Sequence, residues 1–445
     1  MSYLSIKMII LLVRDLVKKL LLLVLIAISV SACVTINNEF EGLPPGIWRA
    51  NLIIDSNLTG AGLIEESKSN FEYTELPFNF EVKYITQDSF IIELINGEER
   101  ILVSDIIIGL DRETAKDTVI INFPVYDTYI KAIYEEGIME GDWYVNYKDN
   151  YSIPFKAQHG SDVRFKRSSN DYEEYIDGTW AVSFDYDKDS PYPATGQFNM
   201  DSLHSVTGTF KTETGDYRYL EGIVDGNKMK LSVFDGSHAF LFESKLLEDS
   251  TMVGTFYSGK HYKSNWIADK SVDQSLRSVY DLTKTVNDER FDFSFKNVNG
   301  DTVSLNDKAF EGKAKIIQII GTWCPNCRDE SKFLKAYYQD KSDNLEIISV
   351  AFERYKEDSK NIESIKRYKD KMEIPYEILY GGYYNKQEAS KAFPMLNKII
   401  SYPTLIFLNP DNTVHKIHTG FNGPATDEYK DFITDFGDIV KEITN

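Results

Sequence analysis

Cys324 and Cys327 stand three residues apart in the stretch Gly321-Thr-Trp323-Cys324-Pro325-Asn326-Cys327-Arg328-Asp329-Glu330. Two thiols at that spacing fit the first turn of a helix, where they can join as a disulfide and part again without moving the chain around them. The run before them, Lys315-Ile-Ile-Gln-Ile-Ile320, is nearly all apolar and reads as a central strand buried on both faces. A helix opening directly after that strand puts Cys324 at its N-terminus, where free N–H groups and the positive end of the dipole favour a thiolate. Pro325 suits the first helical position, which needs no N–H partner. Cys327, one turn further in, is suited to resolve a mixed disulfide formed at Cys324. A structural zinc site would need two more ligands than this pair supplies.

The elements that must hold this turn are legible on both sides of it. From 285 to 445 strands alternate with helices, which predicts a mixed α/β fold. The pattern gives strands at Phe291–Val298, Thr302–Leu305, Lys315–Ile320, Leu345–Phe352, Tyr376–Tyr380, Thr404–Leu408 and Thr413–His418. Helices are expected at Pro325–Asp340, Glu357–Lys371, Lys386–Ala392 and Asp427–Thr444. The charged stretch Arg354–Lys371 reads most simply as a solvated helix. His415 and His418, three apart on a strand, fall on opposite faces and read as structural residues rather than ligands.

Residues 285–445 resemble the exported, TlpA/ResA-type branch of the thioredoxin superfamily. The resemblance rests on Phe291-Asp-Phe, Asn299-Gly300, Val303-Ser-Leu305, Gly312-Lys313, the Trp323-Cys-x-x-Cys327 motif, and Tyr402-Pro403-Thr404 before Leu405-Ile-Phe-Leu408, all in that family's order. It implies a thioredoxin-like domain whose redox-active Cys324–Cys327 disulfide needs no other cofactor and no metal. It also implies that Pro403 is cis and packs against the disulfide, leaving its backbone free to pair with an extended substrate, with Thr404 in support. Proline is the residue that tolerates a cis bond. Glu330 matches the family's proposed active-site acid, although an ordinary acid early in a helix would look the same. Trp323 reads as a packing and shielding residue. One departure is Lys332, which stands where the family usually has a helix-kinking proline, so a straighter helix is expected.

Cys33 requires a different account. Lys7, Arg14, Lys18 and Lys19 against Asp15 precede an apolar run from Leu20 to Val30. As a helix that run spans roughly 16 Å, about half a hydrocarbon core of ~30 Å, and it reads as the core of an export signal. Val30-Ser31-Ala32-Cys33 then resembles the bacterial lipobox, which implies a signal peptide over 1–32, diacylglycerol on Cys33 and a short tether over 33–45.

Between them, 46–270 alternates polar and apolar residues in short runs punctuated by Asn96-Gly97 and Asp235-Gly236, a hairpin pattern that predicts an antiparallel β barrel or sandwich. Gly46-Ile-Trp48 resembles Gly178-Thr-Trp180, and Met139-Glu-Gly141 resembles Met252-Val-Gly254, in the same order. Two related β units, 46–168 and 178–270, or one larger irregular domain, would both give this. Nothing in the region carries recognisable chemistry.

The expected fold is therefore multidomain, an antiparallel all-β N-terminal region followed by the α/β thioredoxin-like domain. With 49 Lys and Arg against 69 Asp and Glu, a net charge of −20 and no basic block, nucleic acid is excluded as a partner. The expected activity is that of a lipid-anchored thiol–disulfide oxidoreductase of the cell envelope, facing the periplasm. It would reduce disulfides in envelope proteins with electrons from a membrane thiol donor. A thiol peroxidase is the enzymatic alternative. It normally has Thr or Ser three residues before the cysteine and Pro seven before, where this chain has Gly321 and Ile317. A ligand-binding envelope lipoprotein with an accessory thioredoxin-like domain is the other.

Overall fold

Inward apolar and outward polar residues alternate along strands such as Thr128–Glu135 and Ser152–His159, as a sheet with one buried face requires. The computed structural model describes residues 42–54, 74–112, 115–168, 176–270, 275–287 and 290–445. The expected signal peptide, Cys33 and most of the tether lie outside the described residues. Pro44–Asn445 form one compact unit containing three sheets. No helix among the described residues is long and apolar enough to cross a membrane.

The first sheet is an antiparallel array of nine strands, from β1 (Gly46–Ile54) to β9 (Ser152–His159), with β1 paired to β9. The second runs from β10 (Gly178–Phe184) through β11 (Tyr192–Met200), β12 (Ser205–Thr212), β13 (Gly215–Asp216), β14 (Leu220–Asp225) and β15 (Lys228–Phe234) to β18 (Tyr262–Lys270). Pairing of β11 with β12 closes eight of its strands into a barrel, and β13 extends from β12 as a short flap. Trp180, Phe184, Phe210, Phe242, Phe256 and Trp266 fill the interior with buried rings.

The similar stretches at the start of each β region adopt the same local geometry. Gly46 and Gly178 both have φ +108°, open to glycine and strained for other residues. Each is followed by a buried tryptophan whose indole N–H bonds four residues back, Trp48 to Pro44 O at 3.2 Å and Trp180 to Ile176 O at 2.8 Å. The two sheets also interlock. Phe234, ending β15, inserts among Phe78 at 4.4 Å, Trp143 at 5.2 Å and Phe123 at 5.6 Å of the first sheet. The buried Arg164 side chain bonds to Ile95 O of the first sheet and, at 2.9 Å, to Ser232 O of the second.

The third sheet has seven strands. Its centre is β21 (Ala314–Ile320), buried at every residue, parallel to β22 (Leu345–Glu353) and antiparallel to β24 (Thr404–Leu408), beyond which lies β25 (Val414–Thr419). Four helices among the described residues accompany it: α1 (Pro325–Gln339), α2 (Asp358–Met372), α3 (Lys386–Ala392) and α4 (Tyr429–Thr444). This is the thioredoxin-like α/β domain. The α1 helix runs unbroken through Lys332.

Two expectations are corrected. The α2 region is not simply solvated: Arg367 donates to Pro124 O at 2.7 Å and pairs with Asp127 at 2.9 Å, while Tyr355 Oη donates to Asp127 at 2.5 Å. Its charges serve as the contact between the first β sheet and the C-terminal domain. The first strand of that domain is also short, Ser294–Asn297, because Phe291 N is bonded to Asn412 O rather than to a ladder partner.

Candidate functional site

The β21 strand delivers the chain to Gly321, and α1 begins at Pro325, so the turn between them carries the thiols. Cys324 is the helix N-cap, with φ −100° and ψ 114°, and its Sγ accepts from Cys327 N at 3.2 Å. The same thiol donates to Tyr402 O at 3.5 Å, and the Tyr402–Pro403 bond is cis. Cys324 is 7% exposed and Cys327 0%, and both are free thiols. Burial, reinforced by the bond to Cys324, pushes the Cys327 thiol well above its ordinary range. A nearly buried sulfur at the helix start and a fully sealed, high-pKa sulfur behind it form an ordered pair.

The turn is held from several directions. Gly321 is required because a Cβ there would sit 2.4 Å from Trp323 Nε1. Trp323 donates to Phe352 O at 3.0 Å, and the Arg354 guanidinium lies 3.8 Å above its ring. Thr322 is gripped by the buried Glu353 carboxylate, which accepts from its N at 2.9 Å and its Oγ1 at 2.8 Å. Burial pushes Glu353 up to about 7, against those two bonds. Thr404 Oγ1 donates to Ser401 O at 3.0 Å and fixes the turn that carries Pro403.

Glu330 is not an exposed acid of a helical turn. It is 0% exposed and accepts from Gln318 Nε2 at 2.8 Å. Gln318 is oriented in turn by Ser349 Oγ at 2.7 Å and Ser331 Oγ at 3.3 Å. Burial holds the carboxyl well above the usual carboxylate range, opposed by Gln318 and reinforced by Cys324.

Trp323, Cys324, Pro325, Cys327, Glu330, Pro403 and Thr404 thus converge on one place. Glu353 and Gln318 were missed by sequence reasoning, yet each left a signal as a polar residue in a mostly apolar buried strand, which must find a partner. The β region is a further correction, since it touches the site directly. Ser237 Oγ donates to Trp323 O at 2.9 Å, Asn326 Nδ2 donates to Asp216 O at 3.2 Å, and the buried Arg218 pairs with Asp329 of α1 and with Glu99 at 2.6 Å. Arg218, with Lys332 and Arg328, keeps Asp329 below its ordinary range despite burial.

Residues 286–417 match the model of the AhpC/TSA family. The chain is similar to the thioredoxin-like protein YneN of Bacillus subtilis, 26% identical over 129 residues that cover 29% of this chain and 68% of that protein. It is also similar to the thiol-disulfide oxidoreductase ResA of Halalkalibacterium halodurans, 24% identical over 163 residues, 36% of this chain and 78% of that one. Among solved structures, a thiol:disulfide interchange protein from Chlorobium tepidum is 22% identical with a TM-score of 0.28, covering 36% of this chain and 100% of that chain. The C-terminal third is thus a thioredoxin-like α/β domain similar to these thiol–disulfide oxidoreductases. Within that class it resembles the TlpA/ResA type.

Proposed function

We propose that the protein reduces disulfides of cell-envelope proteins through Cys324 and Cys327, held at the membrane by lipid on Cys33. The observation that carries this reading is the asymmetry of the two thiols, Cys324 capping the helix and Cys327 sealed beneath it. The Cys324 thiolate attacks one sulfur of the substrate, forming a mixed disulfide and expelling the other sulfur as a thiolate. Cys327 loses its proton and attacks Cys324 Sγ, which releases the first substrate sulfur and leaves the Cys324–Cys327 disulfide. The two protons lost by the enzyme thiols balance the two gained by the substrate. Glu330 carries protons at the Cys327 step, and the cis Tyr402–Pro403 turn, braced by Thr404, meets Cys324 through Tyr402 O. Return to the dithiol requires two electrons from a membrane thiol donor.

The full chain should reduce insulin disulfides with dithiothreitol as donor, and Cys324→Ser should abolish this. A reduced wild-type protein that leaves both insulin and a small disulfide intact would overturn the reading. The AhpC/TSA match favours a second reading, a thiol peroxidase. Against it, the position three before Cys324 is Gly321, folded against Trp323 with no hydroxyl to offer. Consumption of hydrogen peroxide faster than reduction of insulin would reverse the order of the two. The filled barrel gives no support to ligand capture inside it.

A further inference from the structure

The tip of the β12–β13 hairpin lies beside the thiol pair, held by its main chain, by Asp216 and by Glu213, which accepts from Arg277 Nε at 2.8 Å and Nη2 at 2.6 Å. Ser401 Oγ, two residues before Pro403, donates to Thr214 O at 3.1 Å. Gly215 forms a parallel bridge with Phe421, just beyond β25. Asn326, between the two cysteines, donates from Nδ2 to Asp216 O at 3.2 Å and to Phe421 O at 3.3 Å. Gly423 N donates to Asp216 Oδ2 at 2.6 Å. Three consecutive residues, Thr214 to Asp216, thereby engage the loop before Pro403, Asn326 of the CxxC turn and the loop after β25.

Close fit accompanies these bonds. A Cβ on Gly420 would sit 2.5 Å from Thr214 O, and one on Gly215 would sit 2.9 Å from Asn326 Nδ2. The seat is nevertheless polar. Glu213, Thr214, Gly215 and Asp216 are only half-buried, and none supplies an apolar anchor. A cavity of about 290 Å³, lined by Tyr192, Pro193, Thr212, Glu213, Thr214 and Tyr217, lies between the start of β11 and the tip. Contacts made by a few half-exposed hydrogen bonds open at low free energy, unlike those of a buried apolar core. The root of the hairpin is anchored differently, by Arg218 buried between Asp329, Glu99 and, at 3.7 Å, Asp235. The tip can therefore leave while the root stays.

Resting on the proposed reduction of protein disulfides, we propose that the Thr214–Asp216 tip of the hairpin occupies the polypeptide-docking edge beside Cys324, and that an extended substrate segment must displace it. The barrel then selects which disulfides the thiol pair reaches. Main-chain pairing is the recognition that any extended polypeptide could reproduce, since it uses no side chain of the incoming segment.

The test uses the full chain with two variants. Gly215→Val places a branched side chain against Asn326 and Phe421, and Asp216→Ala removes the bond from Gly423 N together with the 2.7 Å bond from Arg218 N. In each reduced protein the rate of alkylation of Cys324 by iodoacetamide is followed by mass spectrometry, and insulin reduction is measured relative to reduction of a small aromatic disulfide. A hairpin seated in all but a minor fraction of molecules predicts a rise of about tenfold in both quantities. A folded variant with wild-type alkylation and a wild-type ratio overturns the proposal, and Asp216→Ala decides the matter if Gly215→Val does not fold. Faster alkylation with no reduction of either disulfide would instead leave the hairpin's seat standing and remove the reductase reading.

Discussion

Gln318 donates to Glu330 over 2.8 Å in a space that excludes water, linking the middle of the central strand to the helix that carries the thiols. The carboxyl is thereby held beside the sulfur pair, where its charge, once ionised, adds to the burial that already raises Cys327. Glu330→Gln keeps the size of the side chain and removes that charge. The Cys327 thiol should then titrate lower than in wild type, without unfolding the domain. Thiolate absorbance titrations of wild type and variant decide it, and superimposable curves would remove Glu330 from the proton transfers.

The order of the thiols gives a second expectation. Cys327→Ser should accumulate mixed disulfides through Cys324, because attack proceeds and resolution cannot. Cys324→Ser should trap roughly tenfold less, since the remaining thiol is fully buried and reluctant to ionise. Non-reducing electrophoresis after incubation with oxidised insulin measures both, and equal trapping would contradict the assignment.

The C-terminal fold was legible because its strands are apolar runs and its helices are longer stretches of mixed apolar and charged residues between them. Ala314–Ile320 and Pro325–Gln339 fall where pattern alone put them. The dithiol turn was legible for the same local reason. Glu353 was not, because its role depends on the parallel pairing of β22 with β21, which brings it to Thr322 across 31 residues of sequence. The hairpin was further out of reach: Arg218 meets Asp329 across 111 residues, and neither residue differs locally from a surface charge. Only the packing of separate sheets makes them partners.

Glu353 also sets a pH dependence. Its folded carboxyl titrates at about 7 against an ordinary 4.5, so between those values the folded state keeps a proton that the unfolded chain releases. Stability should therefore fall as pH rises from 4.5 to about 7, by at most about 3 kcal/mol, and level off above. Glu353→Gln can still accept from Thr322 N and should flatten that decline. Urea midpoints across this range, in wild type and variant, check it, and an equal slope in both would assign the decline to other groups.

The lipid anchor is tested at Cys33. Cys33→Ser should lose incorporation of labelled fatty acid entirely and no longer partition into detergent after processing. A labelled Cys33→Ser protein would place the modification elsewhere.

Phe234 belongs by sequence to the barrel and by contact to the first sheet. An expression boundary drawn between the two, however natural on a sequence diagram, would leave Phe78, Phe123 and Trp143 of one fragment facing solvent and would expose the missing ring on the other. Each fragment would then carry a sticky apolar wound where the whole chain has a joint, so recombinant work on this region should keep residues 46–270 together.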